Sequence, residues 1–300
     1  MKPRSACLAV IGGICFCLHF AVRGTAADVA VVLSSAAQPY QEALQGFQNK
    51  TGLEIEVHDI GDDLETGHRL MENLSAKEIR AVLTIGTKAT LAGGKLPSSI
   101  PLIYTMVINE MQLPRSSVGG VLIRVGVKTQ FELLRRLLPE ARRIGVIYNP
   151  RYTKDDILEA RTVAETFDLE LIPVAVENEE QAKSAVAKLT PERVDLIWTV
   201  VDKTVLQPVV MSALISHSWE QKLPLIGLSE AHVRSGAFAA FHVTYPDVGQ
   251  QAADQVRSIL EGAQPRMETP EQVIVFVNAE VQKKLGLGDL PPLPGIQYIR

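Results

Sequence analysis

Two stretches of this chain run through the same order of short apolar segments and amphipathic helical patterns, and that repetition limits the folds open to it. Val29–Leu33 is an apolar run followed by a polar loop, 34–39. A helical pattern from Tyr40 to Thr51 comes next, with Ala43, Leu44 and Phe47 on one face and Gly52 as its stop. Glu54–Ile60, a helix over Leu64–Leu74, Ala81–Ile85 and, after Pro101, Leu102–Val107 complete the first series. The order then restarts with Ile144–Tyr148, a helix over Asp155–Phe167, Glu170–Val176, Val194–Trp198 and Pro224–Gly227. Ile144 follows Val29 by 115 positions and Pro224 follows Pro101 by 123. Short β-rich runs alternating with amphipathic helices build parallel sheets covered on both faces. The class is α/β, and the spacing predicts two similar doubly wound parallel-sheet lobes in tandem. One large doubly wound sheet is the alternative, and the helix Phe131–Leu138 between the halves fits either.

The amino-terminal end predicts a compartment. Lys2 and Arg4 precede an apolar run, Leu8–Val22, that ends in the small residues Gly24 to Ala27. That is the pattern of a secretory signal peptide over residues 1–26, cleaved near Ala26. The run is short for a bilayer span. Cys7, Cys15 and Cys17 all lie inside it, so a processed chain has no thiol for disulfides, zinc or nucleophilic catalysis. No cysteine is placed to carry a lipid. Removing Lys2, Arg4 and Arg23 from the 30 basic residues leaves 27 against 34 acids, a net charge of −7. Such a surface repels phosphate backbones, and no basic stripe interleaves with aromatics, so no nucleic-acid partner is expected. A chain from about Asp28 to Arg300 exceeds most single cores, which agrees with two domains.

The usual motifs of catalysis are missing. Gly94-Lys95 is followed by Leu96, and no Gly-x-Gly-x-x-Gly follows the first strand, so neither phosphate cradle is present. No Gly-x-Ser-x-Gly elbow occurs. His58, His68, His217, His232 and His242 lack metal-site spacing. No cofactor, metal or catalytic residue is expected. Trp198 ends a predicted strand and reads as core. In open parallel sheets ligands bind beyond the carboxyl ends of the strands. That rule selects Ser34, Ser35, Gly86 and Thr87 on the first lobe, and Tyr40 and Met106 join them as ligand-binding candidates. It selects Asn149, Asp202, Ser229 and Glu230 on the second, and Tyr245 is a further ligand-binding candidate. Mostly small hydroxyls and amides with two acids, the set suits a zwitterion or another polar solute. Ser35, Thr87 and Asn149 are equally placed to cap the following helix.

Several segments in this order resemble the family of ABC-transporter substrate-binding proteins. They are Gly86-Thr87-Lys88-Ala89-Thr90, Leu133-Leu134 through Leu138-Pro139, Arg143 through Asn149-Pro150, Asp202-Lys203-Thr204-Val205, Ser229 through Ala237, and Asn278 through Leu287. The resemblance implies the type I periplasmic binding protein fold: two lobes, a hinge and a central cleft. It implies three crossings between lobes, near Arg124, Tyr245 and Glu268. The first lobe would then comprise 27–124 with about 246–267, and the second 125–245 with about 268–300. It further implies a periplasmic monomer that captures a small molecule, relatives binding tryptophan and other aromatic amino acids, and delivers it to an ABC permease of the inner membrane. A periplasmic sensor reporting to a membrane receptor, or an α/β enzyme, are the alternatives. The sequence departs from many relatives at Val107-Ile108-Asn109-Glu110 and at Arg151-Tyr152-Thr153-Lys154-Asp155, where Arg151 or Lys154 would meet an anionic group.

Overall fold

A computed structural model describes residues 27–107, 113 and 119–299. The expected leader over 1–26 and the departure at Ile108-Asn109-Glu110 lie outside the described residues.

Two sheets form. The first has the order β11-β5-β4-β3-β1-β2. Its strands are β1 (Val29–Leu33), β2 (Ile55–Asp59), β3 (Ala81–Ile85), β4 (Leu102–Val107), β5 (Gly119–Leu122) and β11 (Met267–Glu268). All its pairings are parallel. Strands β1, β3 and β4 are buried at every residue, which is why they read as unbroken apolar runs. Against this sheet lie α1 (Gln38–Thr51), α2 (Leu64–Leu74), α3 (Thr87–Ala92) and α9 (Tyr245–Leu260). Gly52 ends α1 at φ 63°, the left-handed cap that glycine adopts at least cost.

The second sheet has the order β13-β12-β10-β9-β8-β6-β7. Its strands are β6 (Arg143–Tyr148), β7 (Glu170–Ala175), β8 (Leu196–Trp198), β9 (Leu225–Gly227), β10 (Ala239–His242), β12 (Ile274–Asn278) and β13 (Ile296–Ile299). Its helices are α4 (Val127–Leu137), α5 (Pro150–Glu165), α6 (Glu179–Ala185), α7 (Pro208–Gln221), α8 (Glu230–Arg234) and α10 (Ala279–Leu285). The two-lobed parallel α/β architecture is therefore present, and α4 packs on α5 of the second lobe. One pairing departs from the parallel expectation, since β12 runs antiparallel to β10. The chain leaves the second sheet after β10, adds α9 and β11 to the first, and re-enters in the reverse direction.

The first lobe is locked by two helices in backbone contact. A Cβ on Gly46 of α1 would lie 2.0 Å from the Pro246 carbonyl oxygen, and one on Gly249 of α9 would lie 1.9 Å from that of Ala43. The pair thus crosses closely at two reciprocal glycines. One apolar core then runs from Phe47 and Val248 through Val125, Val127 and Val243 to Phe131 and Phe241. It passes through two of the segments that join the lobes.

Candidate functional site

Parallel strands end along one rim of each lobe, and the loops there carry the predicted site residues. On the first lobe Ser34, Tyr40 and Gly86 come together. Gly86 has φ 96°, and a Cβ there would lie 2.6 Å from Ser34 Oγ and 2.8 Å from Tyr40 Cζ. Only glycine lets the tyrosine ring and the serine lie against the backbone at this point. Ser34 is buried, and its hydroxyl accepts from the Ala89 N–H at 3.0 Å, joining the end of β1 to α3. Thr87, half-buried, opens α3, and among the described residues its hydroxyl has no hydrogen-bond partner. Ser35 only approaches the Ala37 N–H, at 3.4 Å. Met106 sits at a bulge in β4, where the register with β5 shifts between Thr105 and Val107. Its φ of 58° is strained for a non-glycine residue, and such strain clusters at functional sites.

On the second lobe Asn149 and Asp202 also come together, but they face inward. Asp202 is 0% exposed. Its Oδ2 accepts from the Asn149 N–H at 2.7 Å and the Thr153 hydroxyl at 2.8 Å. Its Oδ1 accepts from the N–H groups of Thr204 and Val205. Asn149 caps α5 by accepting from Arg151 N–H and donates to the Glu177 carbonyl and Thr204 hydroxyl. These two side chains hold the ends of β6, β7 and β8 together, with their hydrogen-bonding capacity used inside the protein. The same network explains why α5 begins at Pro150 and not at Asp155. Thr153 turns its hydroxyl to Asp202 and leaves helical geometry at φ −133°, kinking the first turn.

Ser229 and Glu230 stand apart from that pair, at the end of β9. Ser229 caps α8 and Glu230 pairs with Arg234 at 2.5 Å. Tyr245, half-buried, is the first residue of α9, where the chain returns to the first lobe. Among the described residues no hydrogen bond joins the first-lobe set, Ser34, Tyr40, Gly86 and Thr87, to Asn149, Asp202 or Ser229. Trp198 is core: it donates to the Gln130 side chain at 2.8 Å and meets the Phe131 ring edge-on.

Burial pushes the His232 imidazole below its ordinary pKa. Burial does the same to His242, against a smaller opposing pull from Glu230. Folding therefore disfavours their protonated forms, while the unfolded chain takes up protons near the ordinary value of 6.5. Stability falls as the pH drops through that value, and His232→Gln flattens the fall. Urea titrations of both proteins between about pH 7 and 5 test this, and parallel profiles count against it.

Three residues of this rim escaped the sequence reading. Thr153 and Thr204 complete the Asp202 network, and Val201, 53% exposed, follows β8 on the surface. Exposure of an apolar residue beside a strand end leaves no mark in the sequence.

The family pattern described as ABC transporter substrate binding protein matches residues 32–288. This chain belongs to the ABC transporter substrate-binding protein family. A curated relative, the tyrosine-binding protein of Clostridioides difficile (strain R20291), is 22% identical over 283 residues, covering 89% of this chain and 81% of that protein. Among solved structures, the ligand-free, open form of a substrate-binding protein with adhesive properties from Clostridium difficile superposes with a TM-score of 0.70 at 18% identity. That match spans 91% of this chain and 99% of the other. An ABC domain from Streptococcus pneumonia in complex with L-Trp gives a TM-score of 0.51 at 20% identity, over 88% and 96% of the two chains. The fold of this substrate-binding protein is accordingly the two-lobed type I periplasmic binding protein fold.

Proposed function

We propose that this chain is exported, closes its two lobes as a monomer on a small polar solute, an amino acid, and delivers it unchanged to an ABC importer. The observation that carries this reading is the first-lobe half-site, where Gly86 brings Tyr40 and Ser34 together beside the unspent Thr87 hydroxyl. A half-site on one lobe binds weakly until a second lobe adds contacts, so affinity and closure form one equilibrium. Membership of the substrate-binding family supports the importer, and the name of the curated relative supports an amino acid with an aromatic ring. The pattern over residues 1–26 supports export. On this reading the lobes are joined through 123–126, 243–244 and 269–273, and the change of sheet between consecutive elements there supports it.

A thermal-shift screen of the processed protein against amino acids, sugars, nucleosides and small anions tests the reading. A ligand at about 100 times its Kd adds about 2.7 kcal/mol, a rise in melting temperature of several degrees. Thr87→Ala keeps the unliganded melting temperature and weakens that ligand by about tenfold. A screen without any shift overturns solute binding, and recovery of a chemically altered ligand overturns delivery without chemistry.

A further inference from the structure

The two sheets leave equivalent edges in different states. Among the described residues β2 pairs with β1 alone and ends the first sheet, as β7 pairs with β6 alone and ends the second. Backbone groups of alternate residues in a strand point to the same side. At β2 the Glu54 carbonyl accepts from the Asp28 and Val29 N–H groups, and the Ile60 N–H donates to the Leu33 carbonyl. Even-numbered residues therefore face β1, and Ile55, Val57 and Asp59 turn their N–H and C=O groups outward. At β7 the Glu170 and Val176 N–H groups donate to the Arg142 and Tyr148 carbonyls, which turns Leu171, Pro173 and Ala175 outward.

The internal repeat makes Val57 and Pro173 counterparts. Ile55 stands beside Val29 and Leu171 beside Ile144, and Val57 and Pro173 each follow two residues later. Proline has no N–H to offer and is tolerated in a sheet where that side faces out, so the middle of β7 is closed to a further strand. Of the remaining edges, β11 is two residues long and β13 is four, entered through Pro294. Strand β2 has neither guard. It runs for five residues with Val57, 43% exposed, at its centre. Such an edge is a template for another strand.

Charge decides which strand fits. For an antiparallel second copy of β2, centres on Ile55, Glu56 or Asp59 each set two acids face to face, which repels. A centre on His58 opposes two imidazoles and leaves each Glu56 without a basic residue across from it. A centre on Val57 sets Glu56 opposite the other copy's His58, twice by symmetry. The outward residues Ile55, Val57 and Asp59 then meet Asp59, Val57 and Ile55 as hydrogen-bonded pairs. Glu56 and His58 fall in the alternate pairs, where facing side chains come closest. Within each copy Glu56 already holds His58 at 3.1 Å and Lys77 at 2.8 Å, so both side chains are in place on that face. We propose that two copies of this protein pair through β2, antiparallel about Val57, and join their first sheets edge to edge. The contact is smaller than a standard interface, so the Kd is on the order of 0.1 mM. A dilute chain closes on its solute as a monomer, and solute binding needs no part of the pair.

Sedimentation equilibrium of the processed protein, from about 10 μM to about 1 mM, tests the pairing, and a disulfide tests its register. A protein starting at Asp28 has no cysteine of its own. The Cα atoms of a hydrogen-bonded pair lie about 5.5 Å apart, within the span of a disulfide. Concentrated Val57→Cys therefore links into a dimer under copper–phenanthroline oxidation. Asp59→Cys, at an equally exposed position, lies about 14 Å from its own copy and stays single. Val57→Pro, which copies Pro173, and Val57→Lys, which sets two ammonium groups together, both remain monomeric and melt like the wild type. His58→Glu sets acid against acid and weakens pairing about tenfold. A wild type that is monomeric at about 1 mM overturns the edge contact. Equal linking of the two cysteine variants, pairing that survives both Val57 substitutions, or pairing unmoved by His58→Glu does so too, with solute binding untouched.

Discussion

Asp202→Ala lowers the stability of the ligand-free protein by about 3–5 kcal/mol, the cost of breaking a buried charged network by removing one member. The carboxylate is fully buried and accepts from Asn149 N–H, Thr153 hydroxyl, Thr204 N–H and Val205 N–H. Alanine strands all four donors where water does not reach them. Asp202→Asn is milder, because its amide oxygen still accepts while its NH2 group faces donors. Thr204→Ala is milder again, since it removes only the hydroxyl that accepts from Asn149. Urea unfolding without ligand reads the order Ala, Asn, then the threonine variant. A residue whose main role is to touch solute would behave in the opposite way, keeping unliganded stability and losing affinity. An Asp202→Ala protein as stable as the wild type therefore removes Asp202 as the tie between β6 and β8.

Gly249→Val disrupts the first lobe to a similar extent, costing about 3 kcal/mol or more through overpacking. The nearest atom to its Cβ would be a main-chain oxygen, which cannot rotate away as a side chain does. Separating α1 from α9 is the sole relief, and it opens the core around Ala43, Phe47, Val248 and Ala252. Gly46→Val strikes the same crossing from the other helix. Gly288→Ala serves as the control, having nothing within 4 Å of its Cβ and an ordinary φ, and leaves the melting temperature in place. Equal melting of Gly249→Val and the control would mean that the helices cross further apart than described.

What was legible in the sequence follows from where burial leaves a periodic trace. Strands β1, β3 and β4 and helix α2 fall on the residues read from the sequence, because wholly buried apolar runs and an Asp63-capped amphipathic helix mark their own boundaries. Strand β5 was missed because half of it is glycine. Gly120 is required there by the Tyr104 carbonyl oxygen, 2.1 Å from any Cβ it would have, and glycine lacks a β signature. The direction of β12 depends on a detour through the other lobe that no local pattern records. At the rims the selected positions lie where strands end, but the sequence cannot tell an acid that points out from one that points in. Asp202 is turned inward by Asn149 and Thr153, partners 53 and 49 positions away. Arg151 and Lys203 were equally unreadable as a pair, since only the fold sets both against Tyr152.

The apolar core that passes through Val125, Val127 and Val243 makes the waist of the molecule a sealed axle rather than a set of tethers. Gly126 packs against Thr269, and Gln251 bonds to Glu268, Thr269 and Glu271, so the strands of that axle are bound to one another as well. Neither of two bodies mounted on such an axle can be peeled away without tearing the seam they share. Heat should therefore unmake them together, in one event, although the chain draws them as two.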